Sequence, residues 1–243
     1  MMKIMQVSLT GTSHLMFQVP NQDAVAVYSD SETAVAAVCD GVSLNSAGTW
    51  SCSEIAAGYC AESFVGCTAG RQPSTDVVFR GFQHTATGLL QELKQRNIPW
   101  MDCQCTMLGV LVTPDMLIAG MAGDGGIICE DAEGELQVLV TRPKTDSMVD
   151  PVILASAWRF ARVPAPRKVL VMSDGLFDQL VALEEGELRV DLDQVRKWLD
   201  ADQEQLEKLA AAARGHDDKT AVLIRFAKDE VQDLPDSGDE SAA

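Results

Sequence analysis

Four apolar runs in this chain stop at, or start from, carboxylates. Val169-Leu170-Val171-Met172 leads into Ser173-Asp174-Gly175, with Asp178 a few residues on; Ala34 to Cys39 leads into Asp40-Gly41; Met116 to Ala122 leads into Gly123-Asp124-Gly125; and Asp217-Asp218 sits just before Ala221-Val222-Leu223-Ile224. Runs of this length and β-branched content read as strands covered on both faces. Each therefore carries an acid to a strand end, where glycine lets the backbone turn. One Asp-Gly after a strand is most often only a turn. Four such devices along one chain are a pattern, and a carboxylate at the lip of a buried strand is costly unless something positive meets it. Clusters with oxygen ligands only suit hard divalent cations such as magnesium or manganese. The chemistry expected from these residues is a binuclear metal site.

Other reactive side chains are arranged for less. The seven cysteines (Cys39, Cys52, Cys60, Cys67, Cys103, Cys105 and Cys129) form an odd set with no Cys-x-x-Cys pair and no Cys-x5-Arg phosphate loop. They read as buried free thiols. His14, His84 and His216 are spaced for no zinc finger.

The elements that must position the acids follow from periodicity and turn residues. Residues 4–9 and 24–29 read as strands separated by a Pro20-Asn21 turn, so that Asp23 stands beside Asp40. Small and apolar residues recur at helical spacing over 49–69. A second helix, capped near Ser74 and Thr75, runs to about Asn97. Residues 103–112, 116–122, 127–130 and 136–140 read as four strands in succession, which implies antiparallel pairing. Residues 142–166, with four prolines, are expected to be a loop region with at most a short helix, overhanging the site. Two acid-started helices over 191–199 and 202–213 precede a last strand, 219–226. Together these elements make an α+β sandwich, two packed sheets covered by helices.

Bulk properties narrow the partners. The 243 residues are 47% hydrophobic but only 5% aromatic, so the core is built from aliphatic and small side chains. A net charge of −17 disfavours nucleic acid and anionic membrane surfaces. With no apolar run of about 18 residues and no signal sequence, the expectation is a cytoplasmic monomer with no membrane partner. Residues 1–227 are expected to form one catalytic domain and 228–243 an acidic, disordered tail.

In chain order the acidic motifs are Pro20-Asn21-Gln22-Asp23, Asp40-Gly41, Cys105-Thr106-Met107-Leu108-Gly109 with Gly123-Asp124, Asp174-Gly175-Leu176-Phe177-Asp178, and Asp217-Asp218-Lys219-Thr220-Ala221-Val222. On these motifs the sequence resembles the metal-dependent protein phosphatases, the type 2C serine/threonine phosphatases, over roughly residues 8–226. Gly11-Thr12-Ser13-His14 ahead of the first motif is most similar to their compact bacterial branch. The resemblance implies a four-layer αββα sandwich of two mainly antiparallel sheets. It implies two manganese or magnesium ions, with room for a third, that activate water against phosphoserine or phosphothreonine. Asp40 would bridge the ions, Gly41 would lend its carbonyl, and Asp174 and Asp217 would complete the ligands, which makes Asp40 and Asp174 the catalytic acids. Asp23 and Gln22 would hold water just outside those ligands, and Asp124 and Asp178 match the positions for a third ion.

Two positions depart from the family's pattern. Gln18 stands where a phosphate-binding arginine is common, and Val42 where many members carry histidine. His14, Arg142, Lys144, Arg159 and Arg162 are candidates to replace the missing donor, with His14 and Gln18 placed nearest the substrate phosphate. The implied partner is a phosphorylated protein, a serine/threonine kinase or its targets. The competing reading is a catalytically weak or inactive relative that binds a phosphorylated or kinase partner, and a hydrolase of small phosphates would use the same site.

Overall fold

The computed structural model describes residues 2–45, 47–141, 149–184 and 187–226. Arg142, Lys144 and the tail at 228–243 lie outside the described residues. Two five-stranded sheets make the frame. In the first the order is β1 (Met2–Leu9), β12 (Lys219–Phe226), β9 (Pro166–Met172), β6 (Gly126–Asp131) and β7 (Leu136–Val140). In the second it is β2 (Ala24–Ser29), β3 (Ala34–Cys39), β4 (Met107–Thr113), β5 (Met116–Ala122) and β8 (Arg159–Pro164). Every neighbouring pair in both sheets is antiparallel.

The period of two along each strand decides which layer a side chain joins. Ala36, Val38, Leu108 and Val110 of the second sheet meet Ile127, Val169, Val171 and Val222 of the first in one buried cluster between the sheets. The alternate residues face outward. Val35, Ala37 and Cys39 pack under α2 (Ser53–Thr68) and α3 (Thr75–Gln95), while Leu170, Met172 and Leu223 pack under α5 (Leu192–Asp200) and α6 (Gln203–Ala212). A strand buried on both faces must be apolar at every position, which is why these strands appear as unbroken runs. The helices sit close. A Cβ on Gly109 would lie 2.6 Å from the ring of Phe64, and one on Gly120 would lie 2.3 Å from the ring of Phe82. Bare backbone at these two strand positions is what lets the rings approach the sheet.

Helix starts follow their caps. Ser74 Oγ accepts from Val77 N at 3.2 Å, and Asp202 and Gln205 form a reciprocal capping box at the start of α6. No described helix is long and apolar enough to cross a membrane.

Three elements differ from the sequence expectation. A six-residue helix, α1 (Thr12–Phe17), occupies what reads as a plain connection between the first two strands. Its apolar residues project outward, so it shows no helical stripe. The segment 142–166, expected as loop, contributes edge strand β8, which pairs with β5 alone and tolerates Pro164. A two-stranded hairpin, β10 (Val181–Glu184) with β11 (Glu187–Val190), stands apart from both sheets after α4 (Asp174–Phe177).

Candidate metal centre

Antiparallel order brings one end of each sheet together. β3 and β5 run the same way and end at Asp40 and at Gly123-Asp124; in the other sheet β9 ends at Ser173-Asp174 where β12 begins after Asp217-Asp218. One carboxylate oxygen from each of Asp40, Asp124 and Asp174 lies within 4.8 Å of the others, and all three residues are half-buried. Asp124, expected only as a ligand of a further ion, is thus as close to the centre as the other two. Asp178 follows α4 and is exposed, its N–H donating to the Asp174 carbonyl at 3.0 Å.

The electrostatics are those of acids crowded together. Burial pushes the Asp40 carboxyl well above the usual range, and the nearby charges of Asp23, Asp174 and Asp217 push it further. Burial raises Asp217 as well, with the charge of Asp174 the next cause. Asp23 is pushed up to about 7, chiefly by burial and further by Asp218, although a hydrogen bond from Ser173 opposes the shift. Like charges held within a few ångströms disfavour ionisation until a cation joins them.

The backbone around the acids is held from several directions. Asp40 N donates to Thr106 Oγ1 at 3.1 Å, and Thr106 N donates to Asp40 O at 2.8 Å. Gly41 pairs with Cys105 as an isolated bridge and donates its N–H to Gln22 O at 3.1 Å. A Cβ on Gly41 would lie 2.6 Å from that same oxygen, so the two acidic loops can meet only because the position is bare. Ser173 Oγ donates to Asp23 Oδ2 at 2.7 Å and accepts from Thr220 N at 3.0 Å, which ties β9, β12 and the first acidic motif together.

Asp218 has a separate task. Buried, it accepts from Gly11 N and Gln22 N at 2.6 Å each, and it meets His14 Nδ1 at 2.8 Å. It anchors α1 and the first acidic loop to the start of β12, while its neighbour Asp217 stays with the acid cluster. His14 is only 2% exposed, its ring lying edge-on to Trp50 at 5.0 Å. Gln22 Nε2 donates to Ser51 O at 3.0 Å. Among the described residues, Gln22 Oε1 and Asp23 Oδ1 are buried with no hydrogen-bond partner. Buried acceptors without a donor are expected to take a water or an ion.

The candidate phosphate contacts are placed less centrally. Gln18 is exposed and caps the C-terminal end of α1 in the left-handed region, φ 56°. Arg159 donates to the carbonyls of Ser156 and Trp158, and the guanidinium of Arg162 rests on Met116 Sδ. Thr106, Ser173 and Asp218 are the supporting residues that sequence reasoning passed over. Ser173 and Asp218 sit directly beside expected ligands, but their partners are 47 to 207 residues away along the chain, a distance no local pattern spans.

An all-oxygen cradle at one end of a two-sheet sandwich places the chain among proteins that hold hard divalent cations. Residues 10–212 match the profile of the protein phosphatase 2C family, and the chain belongs to that family. It is by that membership a serine/threonine protein phosphatase in class. Solved structures share the fold at low identity. A bacterial serine phosphatase is 14% identical with a TM-score of 0.69, covering 95% of this chain and 100% of its own. The catalytic domain of the serine threonine protein phosphatase PstP, in complex with two manganese ions, is 15% identical with a TM-score of 0.66, covering 92% and 97%. RsbX in complex with magnesium is 13% identical with a TM-score of 0.58, covering 93% and 96%. No curated protein sequence matches the chain.

Proposed function

We propose that this chain hydrolyses phosphoserine and phosphothreonine in proteins at a binuclear manganese or magnesium site, within one catalytic domain over residues 1–227. The observation that carries this is the convergence of Asp40, Asp124 and Asp174 from both sheets onto one point. A phosphate monoester is doubly anionic and repels anionic nucleophiles. Bound ions would supply the positive charge that neutralises the phosphoryl oxygens and makes water acidic enough to attack. Asp40, which feels the charges of Asp23, Asp174 and Asp217 at once, would hold the ions together with the Gly41 carbonyl, Asp174 and Asp217. Asp124 and Asp178 would hold a third ion. Asp23 Oδ1 and Gln22 Oε1 are free to accept from water and so to orient it. His14 acts through Asp218, keeping the first acidic loop in place, and does not bind phosphate. The substrate is a phosphorylated protein, a serine/threonine kinase or its targets, met in the cytoplasm by a monomer.

The deciding experiment is metal removal. Activity on phosphothreonine peptide should disappear in chelator, return with manganese or magnesium, and survive thiol alkylation. Burial pushes the thiols of Cys103 and Cys129 up to about 12 and raises that of Cys39 well above the ordinary thiol range, so none of these three is a ready nucleophile. A chelator-resistant, alkylation-sensitive enzyme would overturn the proposal, and a metal-binding protein without turnover would mean a recognition module.

Gln18 offers a phosphate two neutral N–H donors, where an arginine would add charge and a bidentate fork. Its left-handed backbone is already occupied by a residue with a side chain, so Gln18→Arg adds no new strain. The variant is expected to lower KM for a small aryl phosphate by about 5- to 30-fold, the equivalent of about 1–2 kcal/mol. An unchanged KM would show that position 18 does not face the phosphate.

A further inference from the structure

α1 ends in three consecutive apolar residues that the fold leaves in water. Leu15 is 64% exposed, Met16 70% and Phe17 58%. Single exposed apolar residues need no explanation, but this group is continuous with others. Phe17 lies 5.5 Å from the ring of half-buried Trp50, and Trp50 pairs across a short hairpin with Leu44, itself 49% exposed. The ridge is built onto the metal centre at both ends. Through Gly11 and His14, α1 is bonded to Asp218, next to Asp217. The Trp50 hairpin leaves the chain just after Gly41, with Ser51 Oγ donating to Val42 O and Ser51 O accepting from Gln22.

The segment that carries the ridge is one-sided in charge. No lysine or arginine occurs between Lys3 and Arg71, so this stretch brings acids and neither of those cations. A second copy of this chain, also carrying a net charge of −17, is repelled. A basic, apolar segment is attracted.

We infer that the Leu15–Met16–Phe17 ridge with Trp50 is a specificity surface, seating an apolar side chain next to the phosphorylated residue in a basic phosphopeptide segment. This rests on the phosphatase reading. The metal acids hold the phosphate, whichever protein carries it. The ridge selects among phosphoproteins by burying the neighbouring side chain.

The test uses two phosphothreonine peptides, both arginine-containing, one with leucine flanking the phosphothreonine and one with asparagine there, together with a small aryl phosphate. Met16→Gln and Phe17→Ser are expected to lower kcat/KM for the leucine peptide by about ten-fold, about 1.4 kcal/mol, with the aryl phosphate unchanged. The asparagine peptide should already be slow and should lose no more, so that residue and peptide changes are non-additive. Equal losses on all three substrates in both variants, or no preference for leucine in the unmodified protein, would overturn the inference. Phe17 props Trp50, whereas Met16 is 70% exposed, so Met16→Gln remains informative if Phe17→Ser disturbs the fold. Self-association abolished by either variant would assign the ridge to a second copy instead. An unmodified protein inactive on all three substrates would sink the phosphatase reading, whereas activity on the aryl phosphate without peptide preference sinks only the ridge.

Discussion

Asp174→Asn is expected to stop turnover and leave the protein folded, and Asp40→Asn to do the same. Asparagine keeps the shape of the side chain but loses the charge that holds a divalent cation. Residues that merely orient metal ligands typically cost 10- to 100-fold when removed, so loss of a direct ligand should exceed about 100-fold in kcat on any phosphate ester. Stability should move the other way in metal-free protein. Asp174 is among the charges that keep Asp40 from ionising, and neutralising either relieves repulsion between them. In chelator the variants should melt at or above the temperature of the unmodified protein. Manganese at 100 times its dissociation constant should stabilise the unmodified protein by about 2.7 kcal/mol, and the variants much less. An unfolded Asp174→Asn protein would show that the acid serves the fold and not the metal.

These acids could be read from sequence because the strands that deliver them are buried on both faces. Val169 to Met172 must be apolar throughout, half for the layer between the sheets and half for the helices, so the run breaks visibly where Asp174 begins the turn. The helices of the outer layers were legible for a similar reason, since Ser74 and Asp202 cap them by local rules. What was hidden depends on contacts distant in sequence or on elements with little burial. α1 buries only His14, and β8 is an edge strand with one neighbour, so neither has the full hydrophobic pattern of its class. The division of labour within Asp217-Asp218 was hidden too. Adjacent strand-end residues point to opposite sides, so one joins the acid cluster while the other turns to Gly11, His14 and Gln22. The sequence expectation of a phosphate contact at His14 met a buried pair, because an acid at 218 needs donors once it is covered.

Metal-free protein should lose stability as pH rises from 5 to 8, the reverse of the usual behaviour of paired carboxylates. Asp23 has its folded pKa at about 7 against an ordinary value of 3.8, with burial the main cause. Between those values the native protein keeps a proton that the unfolded chain releases, so unfolding is favoured by raising the pH. The stabilisation is complete below the unfolded pKa and is gone once the pH passes the folded one. For Asp23 alone the full span is about 4 kcal/mol, of which about 2–3 kcal/mol falls between pH 5 and 8. Asp40 and Asp217 are raised in the same direction and share the effect, since the acids repel one another. Denaturant midpoints measured in chelator across this range should fall with pH, and Asp23→Asn should flatten the slope. Saturating manganese should reverse its sign, because the cation binds the deprotonated cluster and more strongly as protons leave. A slope indifferent to both Asp23→Asn and manganese would mean that the acids titrate independently, with no common site between the sheets.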